Sequence, residues 1–414
     1  MLFWGVIKGK TIRNFFVLFV LILILALQPA CFVLPKPTAT ATATVTPSPS
    51  ATTTPTITPS PTPRPTITPT ATTEPTKDRS HDDGDYDYSS LPGYFAFSDF
   101  DCPGAEIFCM NISLVSPDLK QHKRLTNHQD GLVYMMRWSP DNRYIVYAAY
   151  VMVLPINEQI RLYDFKTQKT VTLASNLECR TSSISWSPDS RQVALGFDNG
   201  QIKIINIATQ AITQMQNISK ASHVKVTWSP DGKTIAYSND FGIEHGLYTI
   251  PAGGGKPTLQ DPQGFLPAWS PDGLQIAYYR ERNDGNIELV ANEFDINQAA
   301  GQGTVITTIV KEARYFIPPV WSPDGRFIAS FAGVDEETVN SGVIRVDDHQ
   351  IFQAKKGVNS YREPSWSPDS RGLVFMDSNG VLYLAIFDLE GPNFSVDSKT
   401  AYSDVAWSPT EDLP

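Results

Sequence analysis

The sequence predicts an all-β protein: a seven-bladed β-propeller of four-stranded antiparallel blades over residues 91–414, its last blade closed by strands from both termini. Three observations predict it. A Trp-Ser-Pro motif recurs seven times, at Trp138, Trp186, Trp228, Trp269, Trp321, Trp366 and Trp407, with spacings of 48, 42, 41, 52, 45 and 41 residues. A period in the forties is that of propeller blades. Between motifs the chain breaks into short apolar strands and polar turns, with no helical period. The seventh motif stands seven residues before the end, so it supplies one innermost strand and needs its companions from the front of the domain.

The chain begins with Lys8, Lys10 and Arg13, followed by an apolar run from Phe15 to Leu27 that resumes after Gln28 and Pro29 through Leu34. Basic residues stay on the cytoplasmic side, so the rest of the chain is expected to be exported. Residues 1–34 can be read in three ways. Over 15–34 the run is long enough for an uncleaved membrane anchor. Its first 13 residues match the core of a cleaved signal peptide. The stretch Leu27-Gln28-Pro29-Ala30-Cys31 resembles a bacterial lipoprotein signal, which makes Cys31 the lipidation candidate. Each reading places the domain outside the cytoplasmic membrane, in the periplasm or at the cell surface, tethered in two of the three.

Residues 35–90 read as a disordered stalk with an acidic end. From Pro35 to about Thr76 the chain is Pro, Thr, Ala and Ser with few exceptions and cannot build a core. Polyproline II extends about 3.1 Å per residue, so the stalk reaches about 100 Å when stretched. Asp83, Asp85 and Asp87 alternate as in a calcium loop, but the bidentate Glu of a tight site is missing, and the stretch reads as a solvated linker end.

At the front of the domain, Tyr94–Phe97, Glu106–Cys109 and Lys123–Thr126 read as the second, third and fourth strands of the closing blade. Its first strand comes from Ser403–Ser408. Closure of this kind hides sheet edges. Within the repeats, Pro presets the turn after each Trp and Gly232, Gly273 and Gly325 supply its left-handed residue; Asn142, Ser190 and Ser370 replace Gly elsewhere. The Asp of each turn (Asp141, Asp189, Asp231, Asp272, Asp324, Asp369) is expected to accept turn amides rather than to gather cations.

The repeating unit resembles the WD40-like, WSPDG-repeat unit of TolB-type propellers, seen also in relatives of prolyl oligopeptidase. Six copies keep Trp-Ser-Pro-Asp, and Trp407-Ser408-Pro409-Thr410 keeps the first three residues. The resemblance covers about 320 residues. It implies a periplasmic propeller that contacts other envelope proteins. Where TolB proteins carry an α/β domain ahead of the propeller, this chain has its Pro/Thr-rich stalk.

Residues 1–90 hold seven of the 33 basic and six of the 43 acidic residues, leaving 26 and 37 in the propeller. Such an acidic domain repels phosphate backbones, which excludes nucleic acid as the expected partner. No GxSxG elbow occurs, and the six His show no metal-ligand spacing, so no catalytic residue, metal or cofactor is expected. Cys102, in the loop between two strands of the closing blade, and Cys109, on the second of those strands, are the disulfide candidates; Cys179 reads as a lone thiol or as an alternative partner for Cys102. Asn111-Ile112-Ser113 and Asn217-Ile218-Ser219 match a glycosylation triplet by chance.

Binding is expected on the face opposite the Trp-Ser-Pro turns, where loops entering the innermost strands carry Arg180, His223, Phe265, Tyr315, Tyr361, Arg362 and Tyr402. Insertions over Tyr150–Gln159 and Val334–Gly342 add to that face. Arg and aromatic residues above a rigid scaffold suit recognition. The expected function is therefore a monomeric, non-catalytic, membrane-tethered binding scaffold of the cell envelope, with envelope proteins or an extracellular ligand as partner. The alternatives are an enzyme acting on glycans or lactones at the channel mouth, and an extracytoplasmic sensor module.

Overall fold

The computed structural model describes residues 90–410 except 101, 103–108, 153–156, 178, 218–220, 243–245, 294–303, 310–314, 334–339, 354–361, 377–381, 389–390 and 398–401. Residues 1–89, with the apolar run, Cys31 and the stalk, lie outside the described residues, as do Tyr361 and parts of both insertions. Among the described residues no helix is long and apolar enough to cross a membrane.

Seven four-stranded antiparallel sheets form the ring. In chain order, blade 1 spans 131–175, blade 2 181–217, blade 3 221–261, blade 4 264–309, blade 5 315–353 and blade 6 365–397. Blade 7 takes its inner strand from Tyr402–Trp407 and the others from Phe95–Asp99, Asn111–Val115 and His122–Arg124, in that spatial order. The first strands of neighbouring blades lie side by side around the centre, as between blades 7 and 1, 1 and 2, 2 and 3, and 3 and 4. Antiparallel connection then puts every first-to-second and third-to-fourth turn at one end of the ring, the turn end. The other connections form the loop end.

The closing blade corrects one expectation. Its third strand is Asn111–Val115, paired with Phe95–Asp99, and not Glu106–Cys109. Glu106–Phe108 lie outside the described residues, and Cys109 is not in a strand. The reason is the turn that follows. Ser116-Pro117-Asp118 repeats the chemistry of the Trp-Ser-Pro-Asp turns: Ser116 Oγ donates to Asp118 Oδ1 at 2.5 Å, and the Lys120 amide donates to the same oxygen. That turn fixes where the strand must end. It also buries Asn111 completely, so the first glycosylation triplet is closed to modification in the folded chain.

Apolar clusters fill the seams between blades. Val146, Ile160 and Leu162 of blade 1 meet Ile184, Trp186 and Val193 of blade 2. Phe95, Phe97 and Val115 of blade 7 meet Val374, Met376 and Leu382 of blade 6. The seven motif Trp residues are 3–8% exposed. Four of their indoles also carry a hydrogen bond across a seam, each to the carbonyl just before the preceding blade's Trp. Trp138 Nε1 donates to Ala406 O at 3.0 Å, Trp186 to Arg137 O at 3.1 Å, Trp321 to Ala268 O at 3.2 Å and Trp366 to Val320 O at 3.1 Å. In blade 7, Trp407 Nε1 instead bonds Pro92 O at 2.9 Å and ties down the chain's entry to the ring.

The turn end is chemically closed. In all six complete motifs the Ser hydroxyl donates to the Asp carboxylate, and that carboxylate accepts the amide two residues on, as in Ser229–Asp231–Lys233. Neighbouring turns also touch. Where Gly takes the left-handed position, it faces the preceding blade's Pro, most tightly at Gly232, where a Cβ would stand 3.2 Å from Pro188. Where Gly is replaced, a hydrogen bond takes over. The Asp141 amide donates to Ser190 Oγ, the Asp324 amide to Ser370 Oγ, and Asn142 Nδ2 to Thr410 Oγ1. Ser190, Ser370 and Asn142 all have φ near +60°, an unfavourable conformation that these bonds offset.

Candidate functional site at the loop end

The innermost strands leave regular geometry as they approach the loop end. Their pairing shifts between Tyr134 and Arg137, Thr181 and Ser183, Phe265 and Ala268, and Ile317 and Val320. Met135, His223 and Leu266, all on these strands, have φ between +54° and +58°. Bulges of this kind re-aim side chains, and left-handed non-glycine residues persist only where surrounding structure holds them.

Four of the expected binding residues therefore sit elsewhere than expected. His223, Phe265, Tyr315 and Tyr402 belong to the innermost strands of blades 3, 4, 5 and 7 and not to the loops before them. Those strands begin earlier because a bulged strand keeps pairing through its irregularity, as at Phe265↔Tyr279. Phe265 is also partly withdrawn from the surface, edge-on to Phe316 at 5.2 Å and tilted against Tyr279 at 5.7 Å. Arg180 does lie in an entering connection, and Arg362 is half-buried just before blade 6.

Arg180 and His223 come together through Asp198, in the loop after the second strand of blade 2. The Asp198 amide donates to Arg180 O at 3.0 Å. Asp198 Oδ1 stands 3.8 Å from His223 Nε2, whose side chain is 49% exposed. The Arg180 guanidinium covers the Tyr134 ring at 5.7 Å, a cation–π placement that fixes its direction. Tyr134 Oη donates to Glu158 Oε2 at 2.5 Å, and Glu158 Oε1 accepts the Thr181 amide at 2.8 Å. Burial pushes the Glu158 carboxyl up, against the hydrogen bonds from Thr181 and Tyr134 that hold it down. One buried carboxylate thus ties blade 1 to the entry of blade 2 directly beneath Arg180.

Three more charged side chains, on the inner strands or just before one, were missed. Lys225 Nζ donates to Ser182 O at 2.7 Å. Arg137 of blade 1 pairs with Glu363 before blade 6, skipping the blade between them. Superposing the repeats would have found them. The residue before each Trp is Ser185, Thr227, Ala268, Val320, Ser365 or Ala406, and only Arg137 is charged; three before Trp, Lys225 and Glu363 stand where blades 1, 2 and 4 have Met135, Ser183 and Leu266. Among the described residues no group of three or more His, Cys, Asp or Glu is arranged to hold a metal ion. The arrangement offers fixed cations, hydroxyls and aromatic faces around a rigid rim, which is equipment for recognition.

Near the closing blade, Cys102 and Cys109 are joined as a disulfide, with Cα atoms 6.1 Å apart. Cys179 is disulfide-bonded as well, so its lone-thiol reading does not hold.

Residues 118–307 match a family model described as the TolB beta propeller domain. The Tol-Pal system protein TolB of Alcanivorax borkumensis is 30% identical over 86 residues, which are 20% of this chain and 19% of that relative. The match thus spans about a fifth of the relative's length. Among solved structures, TolB from Acinetobacter baumannii aligns over 77% of this chain and 67% of its own, at 18% identity and a TM-score of 0.51. An oligogalacturonate lyase in complex with manganese aligns over 73% of this chain and 96% of its own, at 12% identity and a TM-score of 0.55. At these identities both solved structures share the fold and nothing finer.

Proposed function

Because the chain is a TolB-type β-propeller protein of the WSPDG-repeat kind, we propose that it is a non-catalytic binding scaffold of the cell envelope, and that its recognition surface is the loop end. The observation that carries this reading is the contrast between the ends. The turn end is taken up by bonds among its own turns and by both ends of the domain: Arg371 holds Ser90 O, Trp407 holds Pro92 O, and Thr410 meets Asn142. The loop end presents Arg180, His223 and Arg362 on a rigid frame, clear of both described chain ends. The basic and apolar N-terminal sequence supports placement outside the cytoplasmic membrane, tethered by residues 1–34. Envelope proteins are the partners this reading expects.

The test uses the full chain in its own membranes. Cross-linking followed by extraction in mild detergent should recover a reproducible envelope protein. Arg180→Ala with His223→Ala should lose it while the melting temperature holds. Recovery undiminished by that pair would place recognition elsewhere.

One observation favours a second reading, an enzyme at the channel mouth. Glu158 is a buried carboxyl held toward its protonated form beside a tyrosine hydroxyl and an arginine, which is how a general acid is prepared. The purified chain should then turn over oligogalacturonate, another acidic glycan or a lactone, and Glu158→Gln should abolish the turnover. Turnover that depends on Glu158 would replace the scaffold reading.

A further inference from the structure

The seam between the closing blade and blade 1 holds a polar network that the binding surface does not use, and its centre is Asn111. This side chain is fully buried. Its Nδ2 donates to Cys102 Sγ at 3.2 Å and to His128 O at 3.2 Å, with Cys109 Sγ 4.0 Å away. Its Oδ1 accepts the His128 amide at 2.5 Å and Thr126 Oγ1 at 3.0 Å. Both amide protons and both lone pairs of the oxygen are therefore used. Thr126 and His128 lie in the crossover that carries the chain from blade 7 into blade 1. Thr126 Oγ1 also accepts the Ile112 amide, and the Met110 amide donates to Gly131 O, the first residue of blade 1. Beyond the crossover, the His128 ring contacts Tyr147 Oη at 2.6 Å and Arg161 at 3.2 Å, and Arg161 grips Asp130 with two nitrogens.

We propose that the Cys102–Cys109 disulfide is a redox-set latch on ring closure, transmitted through Asn111 to the crossover at Thr126–His128. With the bond made, Cys102 Sγ is fixed where it accepts from Asn111, and the amide plane is locked between the sulfur and the crossover. A dithiol reductant breaks the S–S bond: two electrons and two protons pass to the cysteines, and the reductant leaves as a disulfide. Cys102, half-buried at the loop end, is then free to turn away. Asn111 keeps a buried N–H with one acceptor removed, and a buried polar group stripped of a partner destabilises its whole network. The crossover loosens, and with it the seam that holds the N-terminal strands in the ring. In the reverse direction, an oxidising compartment sets the latch on a propeller that has already folded.

A disulfide that only pins its own hairpin would leave the crossover untouched, and this separates the two readings. The measurement is amide hydrogen exchange by mass spectrometry on the full chain, oxidised and after dithiothreitol. Reduction should speed exchange in peptides covering 125–131 at least tenfold and leave peptides covering 224–228 in blade 3 unchanged. The Cys102→Ser/Cys109→Ser variant should reproduce this without reductant, and adding Asn111→Ser to it should speed 125–131 little further. Because Cys179 is also disulfide-bonded, Cys179→Ser is the control and should keep 125–131 at the oxidised rate. Exchange that changes only over 100–110, or acceleration of 125–131 by Cys179→Ser alone, would overturn the proposal. Should the double variant not fold, a dithiothreitol titration of the folded chain, read at 125–131 against Cys179→Ser, distinguishes the same outcomes.

Discussion

The two ends of the ring are built from the same seven four-stranded blades, yet they solve opposite problems. At the turn end six of the seven blades repeat one hydrogen-bond pattern, in which the Ser hydroxyl donates to the Asp carboxylate and the carboxylate accepts the amide two residues on. Where the repeat departs from Gly, as at Ser190, the departure makes a new bond to the preceding blade. Toward the loop end the inner strands bulge, three of their non-glycine residues take left-handed backbone, and charged side chains appear along these strands at positions that are neutral in most other blades. Sameness around a ring serves closure. Differences held in place by strained backbone serve recognition. The lesson is to look for function where a repeat protein breaks its own pattern.

The largest effect should come from attacking the turn end at its closure. Ending the chain after Tyr402 removes Trp407, Ser408 and Thr410. The bonds to Pro92, Tyr94 and Asn142 go with them, as does the Ala406 carbonyl that Trp138 uses. The N-terminal strands Phe95–Asp99, Asn111–Val115 and His122–Arg124 would then have no inner strand to pair with. Cooperative thermal unfolding, followed by near-ultraviolet circular dichroism, should disappear. Arg180→Ala with His223→Ala, the matching insult to the loop end, should shift stability by less than about 1 kcal/mol. Comparable losses from both would erase the distinction between the ends.

Acid should separate the ends by pH window. Burial, with the Arg161 guanidinium nearby, lowers His128 to about 4, against the pull of Asp130. The unfolded chain binds that proton from pH 6.5 downward while the folded chain refuses it until about pH 4. Stability is therefore lost as pH falls between 6.5 and 4, by about 3 kcal/mol from this group. Glu158 acts in the opposite sense, because its raised pKa makes the folded state bind a proton more readily, so the diagnostic is a difference. Subtracting the profile of His128→Gln from that of the parent should leave a loss confined to pH 4–6.5. The turn carboxylates answer lower down. Asp189 is held below its ordinary range by the Ser187 hydroxyl and the Arg191 amide; at Asp231, Asp324 and Asp369 burial pushes upward, but the Ser and amide bonds outweigh it. Their stabilisation is present above pH 3.8 and is lost only as pH falls through their depressed values. A difference profile with no step between 4 and 6.5 would remove His128 from the seam's energetics.

The sequence announced the turn end and concealed the loop end, for a physical reason. Trp-Ser-Pro-Asp encodes its structure locally: Pro sets the turn, Ser and Asp bond within five residues, and Trp needs only the blade before it. Blade count and closure from both termini followed from that code. The third strand of the closing blade was misplaced because Glu106–Cys109 looked more apolar than Asn111–Val115. The decisive signal, a Ser-Pro-Asp turn at 116–118, lacked the Trp that marks the others. The rim was legible only as a set of residue types. Arg180, His223 and Arg362 could be picked out as unusual, but Arg137 meets Glu363 across 226 positions of sequence. No local pattern contains such a pair; it exists only once seven blades are arranged around an axis.

The smallest prediction tests how the turn end tolerates departures from its own code. Ser190 has φ of +59° and accepts the Asp141 amide of blade 1 at 3.0 Å. Two contributions are joined in it: a backbone cost that Gly would relieve, and a bond between blades that only a hydroxyl supplies. Ser190→Gly removes both and should leave stability within about 0.5 kcal/mol, since relief of the left-handed strain offsets the lost bond. Ser190→Ala keeps the strain and removes the bond, so it should cost about 1–2 kcal/mol by denaturant unfolding. Ser370, with φ of +64° and the Asp324 amide as its donor, should give the same pair of values two seams from the closure. If Ser→Ala leaves stability unchanged from the parent at both sites, the bonds between turns carry no energy, and the closed turn end reduces to Trp packing alone.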